Sequence, residues 1–109
     1  DPDYTEPWVP GINEFVTADV VEDITTVPGV ESKSAAALAA HGVCTTYQLF
    51  GKFLLLRGGG TTTGQHCDAF VAWLTRTVGV SGKHAHTVTC AVAMKCHAWM
   101  DGLYNEAEL

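Results

Sequence analysis

One stretch in the first half of the chain constrains the fold more than any other: residues 26–43 read TVPGVESKSAAALAAHGV. A proline and a glycine stand before an alanine-rich run, and a second glycine follows it. Proline and glycine favour a tight turn, alanine favours a helix, and a glycine just after a helix commonly ends it. The stretch therefore predicts a turn at 27–29 and a short helix that begins at Ser32 or Ser34 and ends at Ala40.

A glycine-bearing turn before a helix is a common anion site, because its backbone N–H groups can point at a phosphate. Here the residue two positions after Gly29 is Glu31, whose carboxylate stands where an anion would bind. The pattern leaves two functions open. The turn binds nucleic acid, or its scaffold serves another purpose.

Apolar residues recur at helical spacing in the other segments, and no segment alternates as a strand would. Asn13 is expected to cap the first helix, Thr45 or Thr46 the third, and Gly79 to end the fourth. The sequence predicts an all-α domain, a compact bundle of about five helices that contains a helix-hairpin-helix. The predicted helices run over 14–24, 32–40, 46–56, 67–79 and 86–104.

The remaining segments are predicted as an arm, loops and a tail. Residues 1–12 carry three of the four prolines and read as an acidic extended arm, whereas 105–109 read as a frayed tail. A glycine- and threonine-rich loop is expected at 57–65, and a polar linker at 81–86. The GGG of the loop at 57–65 lacks the lysine and serine of a phosphate-binding P-loop, so a nucleotide site is not expected in that loop. The helical domain is predicted to span 13–104.

The charge balance argues against a nucleic-acid partner. Twelve acidic and six basic residues give a formal net charge of −6, and the basic residues are scattered singly along the chain. Proteins that bind phosphate backbones usually carry basic patches. No run approaches the ~20 apolar residues that cross a bilayer, so no membrane partner is expected. Without an initiator methionine or signal peptide, the chain is expected to be a processed product or a fragment of an intracellular protein.

Metal and catalytic chemistry are not expected. A structural zinc site needs four converging ligands, usually with one closely spaced pair, and none of the four cysteines forms a CxxC pair. The histidines are predicted to lie at the surface and the cysteines to be reduced and mostly buried. His66 and Cys67 are neighbours on a helix and point apart, so they cannot form a dyad. We therefore expect no cofactor, no metal and no enzymatic activity. The residues weighed for a metal were His66, Cys67, His84, His86, Cys90, Cys96 and His97.

With these elements placed, the chain resembles the barrier-to-autointegration factor (BAF) family, small dimeric proteins that bridge double-stranded DNA. The resemblance covers roughly residues 13–104 and implies a SAM-like, BAF-like fold; the glycine loop and the linker near residue 83 look like insertions. The segments that carry it are EFV (14–16), VPGVESKSAAALAAHGV (27–43), TYQLFGKFLLL (46–56), AFVAWL (69–74) and KCHAWMDGLY (95–104).

The resemblance implies a DNA site at the hairpin. The family lays the backbone amides of a Gly–hydrophobic–Gly turn on a phosphate, with help from nearby lysines. Gly29 and Val30 match the first two positions, but Glu31 replaces the second glycine. Alanines at 36–37 stand where the family has a basic pair, which leaves Lys33 near the turn. Each lost phosphate contact removes about one counterion's worth of salt-dependent affinity, so DNA binding is expected to be mostly lost.

The resemblance also implies dimerisation through the middle helices. Three consecutive leucines exceed what one side of a helix can bury in a small monomer, so some of them either face a partner or form an ordinary core helix end. The resemblance implies that the dimer forms a groove for a small helical domain of inner-nuclear-membrane proteins. Ala69 stands where the family has a leucine, which puts that partner in question. The residues predicted for a protein interface are Phe53, Leu54, Leu55, Leu56, Ala69 and Trp73.

Two functions follow from the sequence. The first, which the acidic, lysine-poor hairpin favours, is a protein-interaction or scaffold module in a larger assembly, with a possible homodimer. The second is a non-specific double-stranded DNA-binding and bridging protein, with a nuclear location if the family role is kept. Duplex binding at low salt separates the two.

Overall fold

Helices account for almost all regular structure in residues 11–99, the part of the chain that the computed structural model describes. A 3₁₀ segment, Ile24–Thr26, precedes the hairpin, and a π-helical segment, Trp73–Val78, continues the fourth helix. Within these residues the only β-pairing is an isolated bridge between Asp23 and Thr45. The predicted all-α bundle is confirmed. Its helices are α1 (Ile12–Thr17), α2 (Ser32–Ala40), α3 (Thr46–Leu55), α4 (Thr63–Ala72) and α5 (Gly82–Trp99).

Helix α5 is the central element of the bundle, and α1, α3 and α4 all pack against it. Small residues along α5 let its neighbours approach closely, and its buried apolar side chains join those of the other four helices in one core. The largest apolar side chains that are fully buried are Ile12, Leu38, Leu49, Phe53, Phe70 and Leu74.

Helix α1 is shorter than predicted. It begins after Gly11, which has φ 86°, rather than after an Asn13 cap, and it ends at Thr17 instead of continuing to residue 24. Tertiary bonds explain the early end. The backbone carbonyl of Glu22 accepts a hydrogen bond from the Thr46 amide (3.0 Å), and the Asp23 bridge ties the same segment to the start of α3.

Capping boxes fix the starts of α3 and α4. Thr45 caps α3 as predicted. Its hydroxyl accepts the Gln48 amide, and the Gln48 side chain accepts the Thr45 amide. Thr62 and Gln65 form the same motif in α4. That helix therefore begins at Thr63, four residues before its predicted start, and the predicted loop over 57–65 is shorter than expected.

Gly79 ends the π-helical segment with φ 91°, as predicted. The amides of Gly79 and Val80 both donate to the Leu74 carbonyl at 2.9 Å. The polar linker predicted over 81–86 is wrong, because α5 already begins at Gly82, where the Ser81 carbonyl accepts the Ala85 amide (2.8 Å). The predicted arm up to residue 10, the last residues of the fifth predicted helix and the tail lie outside the described residues.

Candidate functional site

The hairpin turn has the backbone geometry that its sequence predicts. The Val30 amide donates to the Val27 carbonyl at 3.0 Å, and Gly29 has φ 92°. With Pro28 before the glycine, these are the features of a type II turn. Val27 and Val30 are both buried, so two apolar side chains anchor the turn in the core.

Gly29 is required for a second reason, which is the close approach of α5. A Cβ atom at this position would lie 2.9 Å from the backbone oxygen of His84 and 2.9 Å from Cγ2 of Val88. Contacts this short force something to move, and the backbone of a helix cannot move cheaply. The first turns of α5 therefore lie directly against the hairpin.

Glu31 fits the hairpin backbone without strain. It is the N-cap residue of α2 with φ −106° and ψ 176°, an extended conformation that any residue adopts. A glutamate at this position therefore causes no backbone strain, and what it adds to the hairpin is charge and bulk. Its side chain does not cap α2, unlike the caps of α3 and α4, so the first amides of α2 have no side-chain acceptor from their N-cap.

A cleft of about 320 Å³ opens beside this helix start. The Glu31 side chain is 70% exposed and the His84 side chain 38% exposed, and Oε1 of Glu31 lies 3.5 Å from Nε2 of His84. The two form an ion pair when the imidazole is protonated. The residues that line the cleft are Glu31, Lys33, Ser34, Ala37, Gly79, Val80, Ser81 and His84.

The four residues predicted for DNA contact have different surroundings. Glu31 and Lys33 are exposed at the start of α2, and Gly29 is half-buried. Val30 offers neither a side chain nor a free amide, because the side chain is buried and the amide is bonded within the turn. The prediction weighed His84 only as a metal ligand and assigned 81–86 to a linker, so it did not place this histidine beside the hairpin. The pair Ser81-Gly82 before a helical run was the available signal for a helix start there.

The predicted protein interface at the end of α3 is corrected at Phe53. Its side chain is fully buried, stacked on the His66 ring with centroids 4.0 Å apart, and it meets Phe70 edge-on at 5.1 Å. It therefore belongs to the core and cannot reach a partner. Leu54 and Leu56 are half-buried and Leu55 is 76% exposed, so the outward apolar surface consists of these three leucines.

The two interface residues predicted on the fourth helix and its continuation, Ala69 and Trp73, are half-buried. The Trp73 ring stacks on Phe70 with centroids 5.9 Å apart, and Nζ of Lys52 lies 5.0 Å from its centroid. Because Lys52 comes from α3, this cation–π contact ties the two elements together. One face of Trp73 is thus engaged within the chain.

The prediction of surface histidines is wrong for His66. It is fully buried, and its Nε2 lies 2.6 Å from the Phe53 carbonyl oxygen, so Nε2 carries the proton and donates. Its Nδ1 is buried and has no hydrogen-bond partner among residues 11–99. Burial lowers the pKa of this imidazole, because the charged form would lose its hydration.

Three of the four cysteines are buried, and Cys44 is exposed. Burial raises the pKa of both the Cys67 and Cys96 thiols to about 12, so both stay protonated near neutral pH.

Among residues 11–99, no three His, Cys, Asp or Glu side chains come together as metal ligands would. No helix among the same residues has the length and apolarity of a membrane span.

The fold and the hairpin define a class of protein, the small all-α, SAM-like domains built around a helix-hairpin-helix. Within that class, the chain belongs to the barrier-to-autointegration factor family, whose model matches residues 10–99. It is also 31% identical over 81 residues to Barrier-to-autointegration factor 1 of Caenorhabditis elegans. The aligned region covers 73% of this chain and 78% of that protein. A comparison with solved structures gives no match. The resemblance inferred from the sequence is thereby confirmed.

Proposed function

We propose that this chain is a non-enzymatic, double-stranded DNA-binding protein that holds a phosphate at its hairpin. The observation that carries the proposal is the intact backbone of the turn. Gly29 keeps its left-handed conformation, and Glu31 occupies the second glycine position in an extended one. The uncapped start of α2 leaves amides for an anion. Family membership supports the same function.

DNA binding is thus preferred over the protein-interaction module that the sequence favoured. The acidic hairpin favoured a protein-interaction module because a carboxylate was expected at the contact point itself. In the structure the Glu31 side chain is mostly exposed and beside His84, so it does not fill the start of α2. Its charge weakens binding, and Lys33 is the basic side chain that lines the cleft. We expect weak affinity that depends strongly on salt.

Titration of a short fluorescein-labelled duplex, followed by anisotropy at several salt concentrations, tests the proposal. Lys33→Glu should weaken binding to every sequence alike and reduce the salt slope by about 1. Arg57→Glu is the matched control. It makes the same charge change at an exposed position outside the cleft, so a site at the hairpin requires a smaller effect there. Absence of saturable binding at low salt would contradict the proposal.

A reversion variant tests the account of Glu31 separately. Glu31→Gly with Ala36→Lys and Ala37→Lys removes the carboxylate and supplies the basic pair that the family resemblance implies. Binding should tighten and its salt slope should steepen by about two phosphate contacts. If the triple variant binds no better than the original chain, charge at this hairpin does not control DNA affinity.

The exposed leucines favour a second candidate function, a protein-interaction or scaffold module within a larger assembly. Leu55 is 76% exposed at the end of α3, beside two half-buried leucines. Co-purification followed by mass spectrometry, with Leu55→Glu and Lys33→Glu compared in parallel, tests it. A protein that binds this surface should co-purify with the Lys33→Glu variant and not with the Leu55→Glu variant. Both functions imply an intracellular location, and DNA bridging in the family's manner implies a nuclear one.

A further inference from the structure

The hairpin cleft contains a histidine whose position is fixed by packing. His84 lies in the first turn of α5, and its backbone oxygen faces Gly29 so closely that no side chain fits there. The imidazole itself is 38% exposed, with Nε2 at 3.5 Å from Oε1 of Glu31. It is therefore held beside the start of α2, where the proposed phosphate would bind, and it remains open to solvent.

Within residues 11–99, few charged groups lie around this imidazole. The hairpin contributes Glu31 and Lys33, whereas the turn at 79–81 contributes no titratable side chain. None of the residues that line the cleft comes from α1, α3 or α4. On α5 itself, Lys83 precedes His84 and is exposed. With a neutral imidazole, the charges of Glu31 and Lys33 cancel within the cleft, and protonation makes the cleft positive by one unit.

We propose that His84 is the residue that controls the charge of this DNA site: in its protonated form it neutralises Glu31 and presents an N–H donor to a phosphate. The inference rests on the proposed function and adds a regulator to the same site. Histidine changes charge in the physiological range. An anion favours the charged form of a nearby imidazole, so binding and protonation support each other. DNA affinity therefore rises as the pH falls.

Duplex affinity at pH 6 and pH 8, at one ionic strength, tests this inference in the full chain. We expect the original chain to bind about fivefold more tightly at pH 6, the lower end of typical coupling between two sites. His84→Gln should bind weakly at both pH values and lose most of the difference. Glu31→Gln should bind more tightly than the original chain at both. Circular dichroism at each pH verifies that every variant is folded.

His41→Gln is the matched control, because His41 is exposed at the other end of α2 and does not line the cleft. It should keep the full pH effect. A pH effect that survives in His84→Gln, or disappears in His41→Gln, would overturn the role of His84 while leaving DNA binding itself in place. Absence of duplex binding at both pH values removes the proposed function, and this inference with it. The two failures are therefore distinguishable.

Discussion

At the scale of single residues, His66 shows how the core responds to pH. Its ring is stacked on Phe53 and fully buried, and burial is the largest cause of its lowered pKa. The hydrogen bond to the Phe53 carbonyl raises the pKa, and the nearby Arg57 charge lowers it further, but desolvation dominates. The folded chain therefore takes up a proton at this site at lower pH than the unfolded chain does.

The first prediction follows from that difference. Above about pH 8 the imidazole is neutral in both states and contributes no pH dependence. As the pH falls through the unfolded-state pKa, the unfolded chain binds a proton that the folded chain does not, so the free energy of unfolding decreases. His66→Phe, which keeps an aromatic ring against Phe53, should remove this part of the decrease.

Urea unfolding at several pH values between about 5 and 8 measures the effect. His41→Gln is the control, because it removes an exposed histidine and leaves the buried ring in place. If His66→Phe keeps the acid sensitivity of the original chain, His66 is not the group responsible.

Lys95 is the second residue whose role the sequence did not reveal. It is only 2% exposed, and its Nζ donates to the carbonyls of Phe15 (2.7 Å), Val16 (3.2 Å) and Ala18. The same ammonium lies 5.3 Å from the centroid of the Phe15 ring. Burial lowers the pKa of Lys95. The charge thus caps the last turn of α1, which has no basic residue of its own.

We predict that Lys95→Met destabilises the fold by about 1.5–3 kcal/mol, because charge-assisted bonds to the three carbonyls at the end of α1 are lost while the apolar stem is kept. Amide hydrogen exchange should accelerate first in α1, the helix that the ammonium holds. Lys83→Met, at an exposed position of the same helix, should change stability by less than about 0.5 kcal/mol. Equal effects of the two substitutions would show that the three carbonyls do not depend on Lys95.

At the scale of elements, capping side chains fix the residues at which helices begin. We predict that Thr62→Ala lowers stability by about 1 kcal/mol, because it removes the hydroxyl that accepts the Gln65 amide at 3.1 Å. Thr77→Ala, at an exposed position of the π-helical segment, is the control and should be nearly neutral. Thermal unfolding compares the two variants. A Thr62→Ala variant as stable as the Thr77→Ala variant would contradict the capping role.

The same elements show what the sequence could predict. The start of α3 was predictable because Thr45 is a strong cap that precedes an apolar helical run. The start of α4 was missed because its first turn contains Gly64 and follows a glycine-rich loop, which concealed the capping box. The last turn of α1 is also held by Lys95, which is 80 residues after Phe15 in the sequence, and no local pattern reveals that bond.

At the scale of the whole molecule, the candidate site was half predictable. The hairpin is one continuous stretch, so its turn and its helix follow from local chemistry. The other wall of the cleft comes from 79–84, about fifty residues further along the chain, and only the packing of α5 against Gly29 brings it there. The exposed end of α3 was predictable from three consecutive leucines, whereas the burial of Phe53 depended on an unforeseen stack with His66.

The last prediction concerns self-association through the exposed leucines. Covering a leucine contributes roughly 1.5–3 kcal/mol, and Leu55 is left 76% exposed beside a loop too polar to cover it. We therefore expect a homodimer that carries two hairpins and bridges two duplexes. Leu55→Glu should give a monomer that binds a single duplex without bridging. Ala69→Leu, which restores the larger side chain that the family resemblance implies, should tighten the dimer.

Sedimentation of the isolated chain over a range of concentrations measures the association. Val21→Glu is the control, because it places the same charge at another exposed apolar position, in the segment between α1 and the hairpin. It should leave the dimer intact. A chain that is monomeric at high concentration and unaffected by Leu55→Glu would contradict this surface. Bridging would then have to come from two phosphate sites on one chain, which the single hairpin within residues 11–99 does not provide.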